Sequence, residues 1–178
     1  MNFKFTNMSE VIEDLFLVTY ESFKDARGEN FEGFDESLYH SEFSKSENWK
    51  NENPKFIVDS YSRSVEESLR GFHGDSETWK LVQCLQGSIL LVVIDTRPNS
   101  STFQKSKAFT IGENNKSQVL VPKGCVNAHL CLSKECLFQY KITHKYVPQD
   151  KQIHIKWNDP TYAINWPTTS PILSKRDL

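Results

Sequence analysis

Three polar side chains fall where strand alternation would turn them toward an apolar interior. Lys80 shares a strand face with the valine and the cysteine of K-L-V-Q-C, and Tyr140 shares one with the cysteine and the phenylalanine of C-L-F-Q-Y. His73 falls on the side of Leu69 and Gly71 in L-R-G-F-H, because successive side chains of a strand point to opposite faces. An imidazole, an ammonium and a phenol in one interior could accept a proton, stabilise negative charge and return a proton.

Each of these residues also has a purely structural explanation. A histidine near a strand end is often exposed or hydrogen-bonded to neighbouring residues, and a tyrosine on an apolar face is often part of the core. A lysine can mark an edge strand, where its charge deters aggregation. Convergence of His73, Lys80 and Tyr140 in one interior would favour chemistry, because a buried ammonium is costly unless something needs it.

The pattern around these residues is mostly β. A short helix is predicted at 34–43, and the polar, turn-rich stretch 44–54 is predicted to be a surface loop. Strands are predicted at 15–20, 56–62, 69–73, 79–85, 88–96, 107–111, 118–121, 128–132 and 136–143.

Many short strands separated by turn signals indicate a sandwich or barrel. The number of strands suits an all-β, cupin-type jelly roll with short helices, formed by one domain over residues 1–178. Such a double sheet has an open mouth where a ligand can bind. The tail 157–178 is rich in Pro, Trp and Asn, and we expect it to pack as an irregular cover.

Composition argues against nucleic-acid and membrane partners. The net charge is −2 and no basic stripe is present, which is not typical of a nucleic-acid-binding protein. Residues 1–10 are polar and carry no apolar signal segment, and the longest apolar run, 89–94, is too short to span a bilayer. We therefore expect a cytoplasmic protein.

The four cysteines are expected to be reduced thiols in a core. None forms a C-x-x-C pair. Cys131 and Cys136 have no histidine at ligand spacing, so the sequence predicts no metal site there.

Six motifs occur in one order along nearly the whole chain, and together they resemble the dTDP-4-dehydrorhamnose 3,5-epimerase family of cupins. The similar segments are D-A-R-G-E-N-F-E at 25–32, L-R-G-F-H at 69–73, K-L-V-Q-C-L-Q-G with V-V-I-D-T-R-P-N-S between 80 and 100, V-P-K-G at 121–124, F-Q-Y-K-I-T-H-K-Y at 138–146, and W-N-D-P, I-N-W-P and P-I-L-S-K-R-D between 157 and 177.

The resemblance implies a homodimeric jelly roll that needs no metal or cofactor. It also implies a reaction, the removal and return of a proton at C3, and often C5, of a nucleoside-diphosphate 4-keto-6-deoxy sugar. By this resemblance His73 is the base, Asp177 is the carboxylate that orients it, Tyr140 is the acid on the opposite face, and Lys80 is the cation near the ketone.

The resemblance also implies residues that bind the substrate. Arg27 and Glu32 match positions that contact the nucleotide, and Arg27 is a candidate for the diphosphate. Arg70 matches a residue of the substrate site. Tyr146 matches an aromatic position near the base, where its face could stack.

The chain departs from the common family pattern around the sugar and the base. Gly74 and Asp75 replace the usual F-Q after the histidine. In the usual A-H-G-F segment, Asn127 stands where the family has histidine, and His129 follows two positions later. We count both as candidate substrate-binding residues.

Three further positions, Val58, Ser60 and Asn30, also differ from the family pattern. These departures imply the same chemistry on another nucleotide-sugar. The combination of H-G-D at 73–75, K-L-V at 80–82 and N-A-H at 127–129 looks like the branch that acts on GDP-4-keto-6-deoxyheptose in capsule synthesis. It leaves open whether C3 alone or both C3 and C5 are inverted.

Three other functions remain open. A related cupin group moves the ketone of a dTDP-sugar from C4 to C3, with a histidine pair inside the barrel. A metal-dependent dioxygenase would need H-x-H, whereas His73 is followed by Gly74 and Asp75. A non-catalytic sugar-nucleotide-binding cupin would have no need of an acid and a base on opposite faces.

Overall fold

Two packed antiparallel sheets dominate the computed structural model, which describes residues 2–178. The strands are β1 (Phe3–Asn7), β2 (Phe16–Tyr20), β3 (Phe23–Asp25), β4 (Gly28–Asn30), β5 (Val58–Val65), β6 (Leu69–Gly74), β7 (Lys80–Gln86), β8 (Ser88–Asp95), β9 (Ser106–Gly112), β10 (Ser117–Val121), β11 (Cys125–Cys131), β12 (Glu135–Ile142) and β13 (Ile153–His154).

The larger sheet has the order β1-β2-β10-β7-β12-β5, and the smaller has the order β13-β6-β11-β8-β9. Strands β3 and β4 form a separate hairpin. The predicted all-β jelly roll is confirmed.

The main core lies between the inner faces of the two sheets. Alternate residues of β7, β8, β10 and β12 supply it, as the two-residue period of a strand requires. Its fully buried members include Val82, Leu91, Val93 and Val119. Burial of each such side chain contributes roughly 1.5–3 kcal/mol, so this core fixes the spacing of the strands that carry the site.

Two helices cover part of the outer face of the six-stranded sheet. They are α1 (Glu36–Phe43) and α2 (Glu47–Glu52), and Asp35 and Ser46 cap their N-termini through side-chain oxygens. The predicted helix at 34–43 is confirmed, but the prediction of a loop over 44–54 is wrong. Helix α2 buries a single large residue, Trp49, so its sequence carries no apolar period.

The C-terminal segment covers the outer face of the five-stranded sheet. Trp157, Trp166 and Leu173 pack on apolar residues of β6, β8 and β11. The main chain of Ile172 accepts a hydrogen bond from Leu69 N at 3.0 Å. The predicted irregular cover is confirmed, and its course brings Asp177 next to β6.

The limits of two strands differ from prediction by two or more residues at an end. Strand β11 runs from Cys125 to Cys131 rather than over 128–132, and β5 spans Val58–Val65 rather than 56–62. Strands β1, β3, β4 and β13 were not predicted. Within residues 2–178, no helix is both long enough and apolar enough to cross a bilayer.

Candidate active site

A cavity of about 380 Å³ lies between the two sheets near the C-terminal cover. One wall comes from β6 and β11, the other from β7 and β12, and the C-terminal segment closes one side. All four predicted catalytic residues line it, namely His73, Lys80, Tyr140 and Asp177. Asn127 and His129 also line it.

An extra residue in β6 determines which way His73 points. Arg70 pairs with His129 and His73 pairs with Asn127, so β6 has one more residue than β11 between the two pairs. Arg70 and His73 both line the cavity, whereas Leu69 packs under the C-terminal cover. The prediction that His73 shares a face with Leu69 is therefore wrong, although His73 does face the interior.

Gly71 permits this irregular course. Its φ is +114°, and a Cβ at this position would lie 2.5 Å from the main-chain oxygen of Asn127. Only glycine fits both the conformation and the space.

Asp177 lies beside the imidazole of His73. Its Oδ1 is 2.7 Å from His73 Nε2, and its Oδ2 accepts a hydrogen bond from the Ser174 hydroxyl at 2.8 Å. Asp177 is 2% exposed. Burial lowers the pKa of His73 below its ordinary value, and the charge of Asp177 opposes that shift. At neutral pH His73 is therefore a neutral imidazole that can accept a proton.

Lys80 reaches across the cavity from the other sheet. Its Nζ donates to the main-chain oxygen of His73 at 3.0 Å and to Asn127 Oδ1 at 3.1 Å. Burial lowers the pKa of Lys80 to about 8, with Asp75 opposing the shift. These contacts hold a desolvated cation close to the base, and Asn127 helps to position it.

Tyr140 stands on the wall opposite His73. It belongs to β12 in the six-stranded sheet, where it pairs with Val82, and its ring lies 5.9 Å from that of Phe138. The prediction that Tyr140 faces the interior is confirmed. Groups able to donate and accept a proton thus approach the cavity from two sides.

His129 is a buried imidazole in the wall of the cavity. It is 3% exposed and its ring stacks on Phe138 at 4.1 Å. Burial, together with the positive charge of Arg70, lowers the pKa of His129 to about 3. Its Nε2 is buried and has no hydrogen-bond partner within residues 2–178.

Arg27 and Glu32 lie outside this cavity in one chain. Arg27 is on the β3–β4 hairpin and pairs with Asp25 at 2.6 Å. Neither Arg27 nor Glu32 is among the lining residues, whereas Arg70 and Tyr146 are. The structure therefore brings together eight of the ten predicted site residues.

Two cationic lining residues were not predicted as part of the site. Arg176 donates to Gln152 Oε1 at 2.7 Å, and Lys145 lies on the segment after β12. Arg176 stands within the P-I-L-S-K-R-D motif next to Asp177, which was the available signal. Together with Arg70 these side chains supply positive charge around the cavity.

Comparison with known proteins agrees with this geometry. The family model described as dTDP-4-dehydrorhamnose 3,5-epimerase matches residues 9–178. A protein of that name from Escherichia coli K12 is 38% identical over 170 residues, which cover 93% of this chain and 88% of the relative. One from Methanothermobacter thermautotrophicus is 31% identical and covers 98% of this chain and 91% of its own length.

Solved structures superpose over almost the full length. The dTDP-4-dehydrorhamnose 3,5-epimerase of Bacillus anthracis, with TDP and PPi bound, has a TM-score of 0.85 at 30% identity and covers 99% of this chain and 97% of its own. The Legionella pneumophila RmlC in complex with dTDP-4-keto-L-rhamnose has a TM-score of 0.85 at 30% identity, with 99% and 90% coverage. This chain belongs to the dTDP-4-dehydrorhamnose 3,5-epimerase family, a family of isomerases.

Proposed function

We propose that the protein inverts the carbon next to the ketone of a nucleoside-diphosphate 4-keto-6-deoxy sugar. The observation that carries this proposal is the placement of the His73–Asp177 pair and of Tyr140 on opposite walls of one cavity, with the Lys80 ammonium bonded to the main chain of His73. Inversion needs a base on one face of the carbon and an acid on the other, and this arrangement offers both.

In the first step His73 removes the proton from C3. The C–H electron pair moves into the ring to form an enolate, and negative charge develops on the ketone oxygen. Lys80 stabilises that charge, which is worth on the order of 3 kcal/mol for one well-placed donor. Asp177 beside Nε2 favours the tautomer with its proton there, so that Nδ1 carries the lone pair that accepts the proton.

In the second step Tyr140 gives its hydroxyl proton to the same carbon from the opposite face. The ketone re-forms, and the configuration at the carbon is inverted. The phenolate then regains a proton from solvent, and the imidazolium of His73 loses one. No oxidant, reductant or cofactor enters this balance. General acid–base catalysis of this kind contributes typically ~10²–10⁴-fold.

The cationic rim suits the diphosphate of the substrate. Arg70, Lys145 and Arg176 line the cavity, and arginine binds phosphate oxygens through a planar fork of donors. The related Bacillus anthracis structure holds TDP and PPi. For Arg27 and Glu32 to reach the nucleotide, a second copy of the chain must contribute them, and we accordingly propose a homodimer.

Two substrates follow from different observations. The names of the relatives favour a dTDP-linked hexose. The departures from the common family pattern at Gly74, Asp75, Asn127 and His129, which all line the cavity, favour a different sugar, such as a GDP-linked 6-deoxyheptose. In either case the product would feed a capsular polysaccharide or lipopolysaccharide made from cytoplasmic precursors.

The test is solvent exchange followed by NMR in D₂O. The protein is incubated separately with dTDP-4-keto-6-deoxyglucose and GDP-4-keto-6-deoxyheptose, and the C3 and C5 proton signals are followed. We expect loss of the C3 signal with one substrate in the wild type and none in His73→Asn, with folding of the variant checked by its melting temperature. Exchange in His73→Asn would contradict the assigned base.

The position of the ketone in the product completes the test. A ketone that remains at C4 supports epimerisation, whereas a ketone at C3 would identify a ketoisomerase and contradict the proposal. Loss of the C5 signal as well would establish a 3,5-epimerase, and loss at C3 alone would establish a 3-epimerase.

A further inference from the structure

A second histidine lies beside the His73–Asp177 pair and has no part in the proposed proton transfer. His154 belongs to β13 and pairs with His73 of β6 across the antiparallel ladder. The two imidazole rings are 5.4 Å apart, and His154 Nε2 is 3.8 Å from Asp177 Oδ1. One ligand atom from each of the three residues lies within 4.8 Å of the other two.

Two of these atoms lack regular hydrogen bonds. His73 Nε2 and Asp177 Oδ1 are buried, and although they are 2.7 Å apart neither makes a hydrogen bond of regular geometry within residues 2–178. A buried carboxylate oxygen without a regular hydrogen bond is destabilising, because its lost hydration is not replaced. A cation bound between these two atoms, with the imidazole proton of His73 moved to Nδ1, would remove this destabilisation.

We propose that His73, His154 and Asp177 form a binding site for Zn²⁺ or a similar divalent cation, and that occupation of this site inhibits the enzyme. Two imidazoles and one carboxylate with an open fourth position are a ligand set that zinc accepts. Zinc bonds of about 2.0–2.2 Å place tetrahedral ligand atoms roughly 3.3 Å apart. The present separations of 2.7 and 3.8 Å fall on either side of that value.

Neighbouring charge sets the expected affinity. Asp177 supplies one negative charge, and Arg176, which is close enough to lower the pKa of His73, opposes a cation. The side chain of His154 is 33% exposed, so ions can enter and leave. These features predict an exchangeable, regulatory site rather than a permanent structural one.

Metal binding would disable the base directly. A neutral imidazole has one N–H and one lone pair, so coordination at His73 Nε2 leaves the proton on Nδ1. The ring then has no lone pair with which to accept the C3 proton, and Asp177 is also engaged. This inhibition rests on the proposed function, whereas the binding of the ion does not.

Binding is measured with Co²⁺ alone, because tetrahedral Co²⁺ with nitrogen and oxygen ligands has visible absorption bands. The titration uses the full chain after treatment with chelator and compares wild type, His154→Ala, His154→Asn and the control His144→Ala, which changes an exposed histidine. We expect a saturable band at one ion per chain in wild type and His144→Ala, and at least tenfold weaker binding in both His154 variants.

Inhibition is then read as the ratio of C3 exchange with and without Zn²⁺ in each variant. We expect the His154 variants to need at least tenfold more Zn²⁺ than wild type for half inhibition. No band in wild type, or a band unchanged in both His154 variants, would overturn the site. A band without exchange in any variant would leave the metal site intact and count against the proposed function instead.

Discussion

Lys80 Nζ lies 3.0 Å from the main-chain oxygen of His73, although the two residues belong to different sheets. The contact ties the cation that would meet the ketone oxygen to the strand that carries the base. Because β7 and β6 lie on opposite walls, the two groups can act on adjacent atoms of one sugar. The relative positions of base and cation are therefore set by sheet packing rather than by a flexible loop.

Replacing Lys80 with methionine should remove most of the activity. The variant loses the charge that stabilises the enolate, so we expect kcat to fall by roughly 10²–10³. The change leaves Asn127 Oδ1 without its donor, and folding is checked by the melting temperature. The control is Lys141→Met, which removes a lysine paired with Asp59, and it should retain kcat within a few-fold. Equal losses in both variants would argue against a catalytic ammonium.

The pKa of Lys80 also predicts the alkaline limb of the pH profile. Burial lowers this pKa to about 8, and only the protonated amine can stabilise the enolate. Activity should therefore fall as the pH rises through about 8. The limb is measured as kcat against pH and should vanish in Lys80→Met. A wild-type profile that stays flat to pH 10 would contradict the role.

A buried ion-pair network away from the cavity should control stability. Asp95 is fully buried and accepts hydrogen bonds from the guanidinium of Arg97, which also contacts Asp14 at 3.0 Å. In Arg97→Met two buried carboxylates keep their hydrogen bonds to uncharged side chains but lose their ion-pair partner, and breaking a buried ion pair typically costs 3–5 kcal/mol. The control is Arg63→Met, because Arg63 forms an exposed pair with Glu135 that should be worth at most about 1 kcal/mol.

The free energy of unfolding of both variants is measured by denaturant unfolding at pH 7. Similar losses of unfolding free energy in Arg97→Met and Arg63→Met would contradict a special contribution from the buried network.

The same network predicts a loss of stability in acid. Burial acts to raise the pKa of Asp95, but hydrogen bonds from Arg97, Ser100 and Thr102 hold this pKa well below its usual range. Because the folded-state pKa is depressed, this stabilisation is present above about pH 4 and is lost as the pH falls.

His129 should make the fold sensitive to mild acid. Its pKa is lowered from 6.5 to about 3, so between these values the unfolded chain binds a proton that the folded chain does not. Stability therefore decreases as the pH falls from 6.5 toward 3. His129→Phe should show a smaller drop in melting temperature between pH 7.5 and pH 5 than wild type. A residual drop is expected because the pKa of His73 is also lowered, but an unchanged drop would contradict the prediction.

The two-residue period of strands predicted that Lys80 and Tyr140 face the cavity, because both residues lie in regular strands. In β7 and β12 the two-residue period holds at these positions, so alternation places both side chains in the cavity. The same rule failed at His73, where the extra residue of β6 shifts the alternation. Nothing in L-R-G-F-H except its glycine signals that irregularity.

Contacts between residues that are far apart in the sequence could not be predicted from local sequence patterns. Asp177 reaches His73 because the C-terminal cover crosses the smaller sheet, and the family resemblance alone suggested it. His154 lies in a two-residue strand that is too short to have a period. Helix α2 was missed because its polar sequence buries only Trp49, although Ser46 at its start was a capping signal.

The most direct test of the account is the behaviour of Tyr140→Phe in D₂O. If His73 removes the proton and Tyr140 returns one from the other face, the variant should still exchange the C3 proton for deuterium. It should form inverted product at least ~10²-fold more slowly than wild type. NMR measures both quantities in one sample, from the loss of the C3 signal and the appearance of epimer signals. Inversion at the wild-type rate in Tyr140→Phe would contradict proton transfer from two opposite faces by these residues.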